Sequence, residues 1–168
     1  MDKIELLRRL KEIKVLETRQ VNLKNAGESN FYINIKKAYG YPDILRKITT
    51  LMHRKIDGMT TAIAAQGYGA IPLATKLSTD YNLKLTLVRE NTKDHGLQEI
   101  LGGYIPNKED KVFIVDDVFT TGNSIQEVID ALKPTKATII GYGVVVKRGT
   151  GNLEHSLHHI LTLNDLLK

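Results

Sequence analysis

Apolar residues first recur at Ile4, Leu7, Leu10 and Ile13, a spacing that predicts a helix over about 3–17. "FYINIKKA" (31–38) then alternates as a short strand. Pro42 stands where a first helical turn tolerates it, and "DILRKITTLMHRKI" continues with helical spacing. "TTAIAA" (60–65) is a short apolar strand, Gly67-Tyr68-Gly69 a turn, and "AIPLATKLSTDY" a helix. "LKLTLVR" (83–89) predicts a strand, whereas "ENTKDHGLQEILGGY" (90–104) is polar, punctuated by glycine and without a period. A strand over 111–116, a helix over 122–132 and a strand over 136–146 follow. "SLHHILTLNDLLK" closes the chain as a strand and a short helix.

Alternating strands and helices, with strands that are continuous apolar runs, predict an α/β fold: a central, mostly parallel sheet flanked by helices. No repeat, linker or low-complexity tract divides residues 1–168, so a single domain is expected. Ligands of such sheets bind at the carboxyl ends of the strands.

Composition narrows the chemistry. The chain has no cysteine, which excludes disulfides and thiolate metal sites. No apolar run approaches the roughly 18 residues that span a bilayer. The amino end is an amphipathic charged helix without the continuous apolar segment of a signal peptide, so a cytoplasmic setting is expected. A net charge of +5 suits an anionic partner. With no long Lys/Arg run and three Phe, a polyphosphate small molecule fits better than a nucleic acid.

Several common site motifs are missing. There is no G-x-x-x-x-G-K-[ST], no G-x-S-x-G and no H-E-x-x-H. "GYGAIP" (67–72) puts Pro72 where a dinucleotide loop needs its third glycine. His155, His158 and His159 cluster, but adjacent strand positions face opposite sides, and packing histidines are the expectation.

One stretch stands out. In "KVFIVDDVFTTGNSIQEVIDAL" (111–132) an apolar strand ends in Asp116 and Asp117. The loop that follows offers backbone N–H groups from Phe119 to Ser124 and hydroxyls at Thr120, Thr121 and Ser124, and it leads into a helix. Clustered amides at a helix N-terminus suit a phosphate monoester, and Gly122 permits close approach. The carboxylates would repel that phosphate and need donors instead, which a sugar diol supplies. A ribose 5-phosphate cradle satisfies both requirements. The plainer alternative is a strand terminus followed by a helix cap.

"VFIVDDVFTTGNS" resembles the phosphoribosyl diphosphate (PRPP) signature of type I phosphoribosyltransferases: an apolar strand, two acidic residues, then T-[TSA]-G-x-[ST]. The resemblance implies that Asp116 and Asp117 hold the ribose hydroxyls, and that Val118, Phe119, Thr120, Thr121, Gly122, Asn123 and Ser124 surround the 5-phosphate. "VRENTKDHG" (88–96) resembles the mobile loop of the orotate members, R-K-x-x-K-D-H/Y-G. It implies catalytic roles for Arg89, Lys93 and His95 at the departing diphosphate, with Asp117, and a mobile segment over about 89–103 with Gly96, Gly102 and Gly103 as hinges. Glu90 stands where the family usually has lysine, which removes one diphosphate contact.

"VNLKNAGESNFYINI" (21–35) resembles the family's amino-terminal base-binding segment, although its Lys-Ser-Gly is Lys24-Asn25-Ala26 here. It implies Lys24, Tyr32 and Ile33, with Thr120, on the orotate side. "VVVKRGTG" (144–151) resembles the strand end that offers an arginine to the orotate carboxylate, here Arg148. "GYGAIPLA" (67–74) resembles a diphosphate-contacting loop; Tyr68 matches, and Gly69 stands where some members have lysine.

The resemblance therefore implies the type I phosphoribosyltransferase fold, with a small hood built from about 1–36 and 150–168. It further implies Mg²⁺ held mainly by PRPP and water with no direct protein ligand, and a homodimer sharing the 89–103 loop. The implied reaction is phosphoribosyl transfer from PRPP to orotate, giving orotidine 5′-monophosphate and pyrophosphate in pyrimidine synthesis. Two readings compete with it: a transferase for a purine or uracil, and a non-catalytic PRPP sensor that binds nucleic acid.

Overall fold

The computed structural model describes residues 2–23, 27–90, 100–151 and 153–168; residues 19–23 and 27–30 are described as backbone only. Lys24, Lys93, His95 and Gly96 lie outside the described residues.

Helix α1 (Lys3–Glu12) leads into an antiparallel hairpin of β1 (Leu16–Leu23) and β2 (Gly27–Ile33). Short α2 (Lys36–Tyr39) and α3 (Pro42–His53) follow. The remainder runs β3 (Ala62–Gln66), α4 (Gly67–Tyr81), β4 (Lys84–Val88), β5 (Leu101–Gly103), β6 (Lys111–Phe119), α5 (Asn123–Leu132), β7 (Thr138–Lys147), β8 (Leu157–Thr162) and α6 (Leu163–Leu167). Six strands form one sheet in the order β5-β4-β3-β6-β7-β8. Every pairing in it is parallel except β4 with β5.

Helices cover both faces, and the strands alternate between two cores. Ile63, Phe113 and Val115 pack with Leu6, Leu10, Ile44, Ile48 and Leu73 from α1, α3 and α4. Ala64, Val112 and Ile114 pack with Ile125, Val128 and Leu132 of α5 on the other face. A strand buried on both sides has no polar face, which is why β3 and β6 read as unbroken apolar runs.

Five expectations change. Helix α1 ends at Glu12, and residues 16–23 form β1; Lys14 makes the turn at φ 53, a left-handed position held here by a residue that gives no sequence signal. The run 31–38 is a strand only to Ile33, and Lys36–Tyr39 turns helical. Gly67–Gly69 is the first turn of α4 and not a separate loop. Gly102 and Gly103, expected as hinges of a mobile segment, pair with Leu87 and Thr86 as β5. Residues 157–162, expected in the hood, lengthen the main sheet as β8, while α6 packs on α1. The histidines pack: His158 stacks on Phe113 and His155 meets Tyr142.

Candidate active site

Strand β6 does not stop at its aspartates. It pairs with β3 only through Ile114, but with β7 through Phe119. Its last residues therefore project beyond β3 at the carboxyl edge of the sheet. Successive side chains alternate, so Asp116 follows Val112 and Ile114 toward the α5 face, and Asp117 follows Phe113 and Val115 toward α4. A cavity opens on each side of this strand end.

The first, of about 220 Å³, is lined by Gln66, Glu90, Asp116, Val118, Phe119, the loop Thr120–Ser124 and Glu127. Gly122 precedes α5 at φ 92, and no side chain caps that helix. Helix α4 starts beside the same cavity after Gln66 and is also uncapped by a side chain. The loop and the start of α5 thus line one space with backbone N–H groups, an arrangement suited to an anionic group. The loop's backbone is braced from behind: the N–H groups of Arg148 and Gly149 both donate to the Phe119 carbonyl, at 2.9 and 3.2 Å. A Cβ on Gly149 would lie 2.0 Å from the Thr120 carbonyl oxygen, so only glycine lets the two loops meet.

The second cavity, of about 150 Å³, is lined by Tyr32, Ile33, Lys36, Asp117, Val118, Thr120 and Arg148. The hairpin strand β2 and α2 deliver its walls. Arg148 Nη1 donates to the Phe31 carbonyl at 3.0 Å, which fixes the guanidinium at the mouth. Val118 and Thr120 belong to both cavities, so a ligand crossing the end of β6 would meet Asp116 on one side and Asp117 on the other.

The two carboxylates are electrostatically distinct. Burial, and then the charge of Asp117, push the Asp116 carboxyl well above the usual carboxylate range. Asp117 faces Lys36, with Nζ 3.8 Å from Oδ2. It also lies against the backbone of Gly69, where an added Cβ would sit 2.2 Å from Oδ2. The Tyr39 hydroxyl donates to the Gly69 carbonyl at 2.8 Å, and burial, then Asp117 and Asp116, raise its pKa well above the ordinary phenol value.

Of the expected donor-side residues, Asp116 and Val118 through Ser124 meet in the first cavity, while Asp117 lines the second. Tyr32, Ile33, Thr120 and Arg148, expected on the base side, line the second together. Tyr68 is 80% exposed on α4 and lines neither cavity. Arg89 is exposed and lines neither; its N–H bonds the Ile100 carbonyl at 2.9 Å, drawing together the ends of the segment between them. The sequence reading did not single out Lys36, Tyr39, Gln66 or Glu127. Gln66 Nε2 donates to Glu127, while its Oε1 is buried with no partner among the described residues. The Glu90 carboxylate lies against the backbone of Gly67.

The projecting strand end thus carries two acids, with an uncapped helix start on one side and a cavity holding Lys36 and Arg148 on the other. Residues 34–164 match the phosphoribosyl transferase domain family, and the chain belongs to it. Among curated proteins it is 38% identical over 136 residues to the orotate phosphoribosyltransferase of Pyrococcus horikoshii, a match covering 79% of this chain and 73% of that one. It is 30% identical over 163 residues to the orotate phosphoribosyltransferase of Methanothermobacter thermautotrophicus, covering 97% and 89%. The crystal structure of orotate phosphoribosyltransferase from Aeropyrum pernix superposes with a TM-score of 0.83 at 27% identity, covering 96% of each chain.

Proposed function

We propose that the chain is an orotate phosphoribosyltransferase, moving the 5-phosphoribosyl group of PRPP to orotate with release of pyrophosphate. One observation carries the reading: two cavities share the projecting end of β6, one lined by the anion loop and the other by Arg148. The relatives' shared name supports the acceptor.

In this reading the amides and hydroxyls of Thr120–Ser124 take the 5-phosphate. Asp116 and Asp117 accept from the ribose hydroxyls, one from each side of the strand. The start of α4 faces the diphosphate. The orotate ring enters between Tyr32, Ile33 and Thr120, and the Arg148 fork pairs with its carboxylate. Lys24 joins this side, and Arg89, Lys93 and His95 serve the leaving group. No protein nucleophile is required. The residues hold donor and acceptor in line and stabilise charge as the glycosidic bond breaks.

The residues lining the first cavity fit a hydrated Mg²⁺. Among the described residues lining it, Glu90, Asp116 and Glu127 bring carboxylates and none is a cation, and the Gln66 Oε1 has no donor among the described residues. Those acceptors would face the ion's water shell, in keeping with the few direct protein ligands Mg²⁺ takes. When bound, Mg²⁺ supplies neutralisation of the diphosphate. The reading includes a homodimer sharing the 89–103 segment and a cytoplasmic place in pyrimidine synthesis, both resting on the resemblance; light scattering tests the dimer.

Isothermal titration tests the donor assignment. With Mg²⁺, PRPP should bind at one site per chain, and the Asp116→Asn/Asp117→Asn double variant should lose that binding. Equal affinity in the double variant would sink the cradle.

A further inference from the structure

Helix α2 is one turn long, and its residues three apart share a face. That face meets the acidic end of β6 at two points. Lys36 places Nζ 3.8 Å from Asp117 Oδ2, and also 5.9 Å from the centre of the Tyr32 ring. Three residues on, the Tyr39 hydroxyl holds the carbonyl of Gly69, whose backbone lies against the same carboxylate. Asp117 is therefore bounded by an ammonium on one side and by a backbone segment, itself tethered to α2, on another. Neither Lys36 nor Tyr39 belongs to the PRPP signature.

We propose that α2 is a clamp that sets Asp117 for the ribose hydroxyls, with Lys36 acting by charge and Tyr39 acting through Gly69. Both are positioning residues. The inference rests on the PRPP reading of the site. Two adjacent carboxylates oppose each other's ionisation, and the cation beside them favours the charged, accepting form. The groups that face Asp117 are Asp116 on β6, Lys36 and Tyr39 on α2, and Arg148 after β7; Glu90 and Glu127 lie on the Asp116 side. Lys36 forms an ion pair with Asp117.

Titration of PRPP with Mg²⁺ against the full chain at pH 8 tests the clamp. Lys36→Met should weaken PRPP roughly tenfold. Lys36→Arg should restore most of that affinity. Tyr39→Phe keeps the buried ring and removes only the tether; it should weaken PRPP roughly threefold. Wild-type PRPP affinity in Lys36→Met overturns the clamp, as does loss of orotate affinity alone. So does wild-type affinity in Tyr39→Phe. If the wild-type chain itself does not bind PRPP, the functional reading fails first and takes the clamp with it.

Discussion

Replacing Gly69 with alanine should separate binding from stability. The added Cβ would fall 2.2 Å from Asp117 Oδ2 and 2.5 Å from its Cγ, far inside an ordinary contact of about 3.5 Å. Gly69 lies in α4 without a positive φ, so alanine fits the backbone there. What yields is the end of a side chain, and the Asp117 carboxylate must swing away from Gly69. Alanine in a helix is favoured over glycine by about 0.5–1 kcal/mol, which offsets the cost of that rotation. The unfolding midpoint should therefore stay level or rise by about 2 °C. Binding should move the other way. A hydrogen bond to a charged acceptor contributes about 1.5–3 kcal/mol, so losing the Asp117 contact to the ribose should weaken PRPP roughly ten- to a hundredfold. Calorimetric titration with PRPP and Mg²⁺, beside a thermal melt, reads both. PRPP affinity equal to wild type would refute the placement of Asp117 at the sugar, and a melt lowered along with affinity would point to general damage instead.

Arg148→Ala should raise the orotate Kd roughly tenfold or more while PRPP binding holds, because the fork serves only the acceptor side; equal losses for both ligands would count against that role. Lys93→Ala should depress turnover far more than PRPP affinity, and unchanged single-turnover rates would remove Lys93 from the leaving-group side. At the opposite edge of the sheet, burial raises the Asp110 carboxyl, but donors from Tyr104, the Asn107 N–H, Thr61 and Lys84 prevail and bring it down to about 2. A depressed carboxylate stabilises above its unfolded value, near 3.8, and loses that contribution as pH falls toward 2. Asp110→Asn should thus lower stability by about 2 kcal/mol at pH 7, with the gap to wild type closing below about pH 3 in urea titrations.

The parallel sheet was legible because β3, β6 and β7 are buried on both faces and leave continuous apolar runs. The grouping of Asp116 with the loop Thr120–Ser124 was legible because residues adjacent in the chain, at a strand end and a helix start, line one cavity. Other features left no such trace. The end of α1 is turned by Lys14 at φ 53, a position usually marked by glycine or asparagine. Strand β5 contains Gly102 and Gly103, which carry no strand signal of their own. Lys36 reaches Asp117 across 81 positions of chain, and Tyr39 reaches Gly69 across 30, so local spacing could not connect them. Gly69, read as a position lacking a cation, proves to be where the backbone meets the Asp117 carboxylate. The separation of Asp116 from Asp117 onto opposite sides of β6 was implicit in strand alternation. It became a feature of the site only once β6 was seen to run on to Phe119.

In the proposed function one strand end serves a PRPP cavity and an orotate cavity together. The most direct test supplies the chain with PRPP and Mg²⁺ and offers orotate, uracil, adenine and hypoxanthine in turn, following pyrophosphate release. The account predicts release with orotate, matched by orotidine 5′-monophosphate, and none above background with the other three. Turnover with uracil or a purine in place of orotate, or no turnover with any base despite PRPP binding, would contradict it.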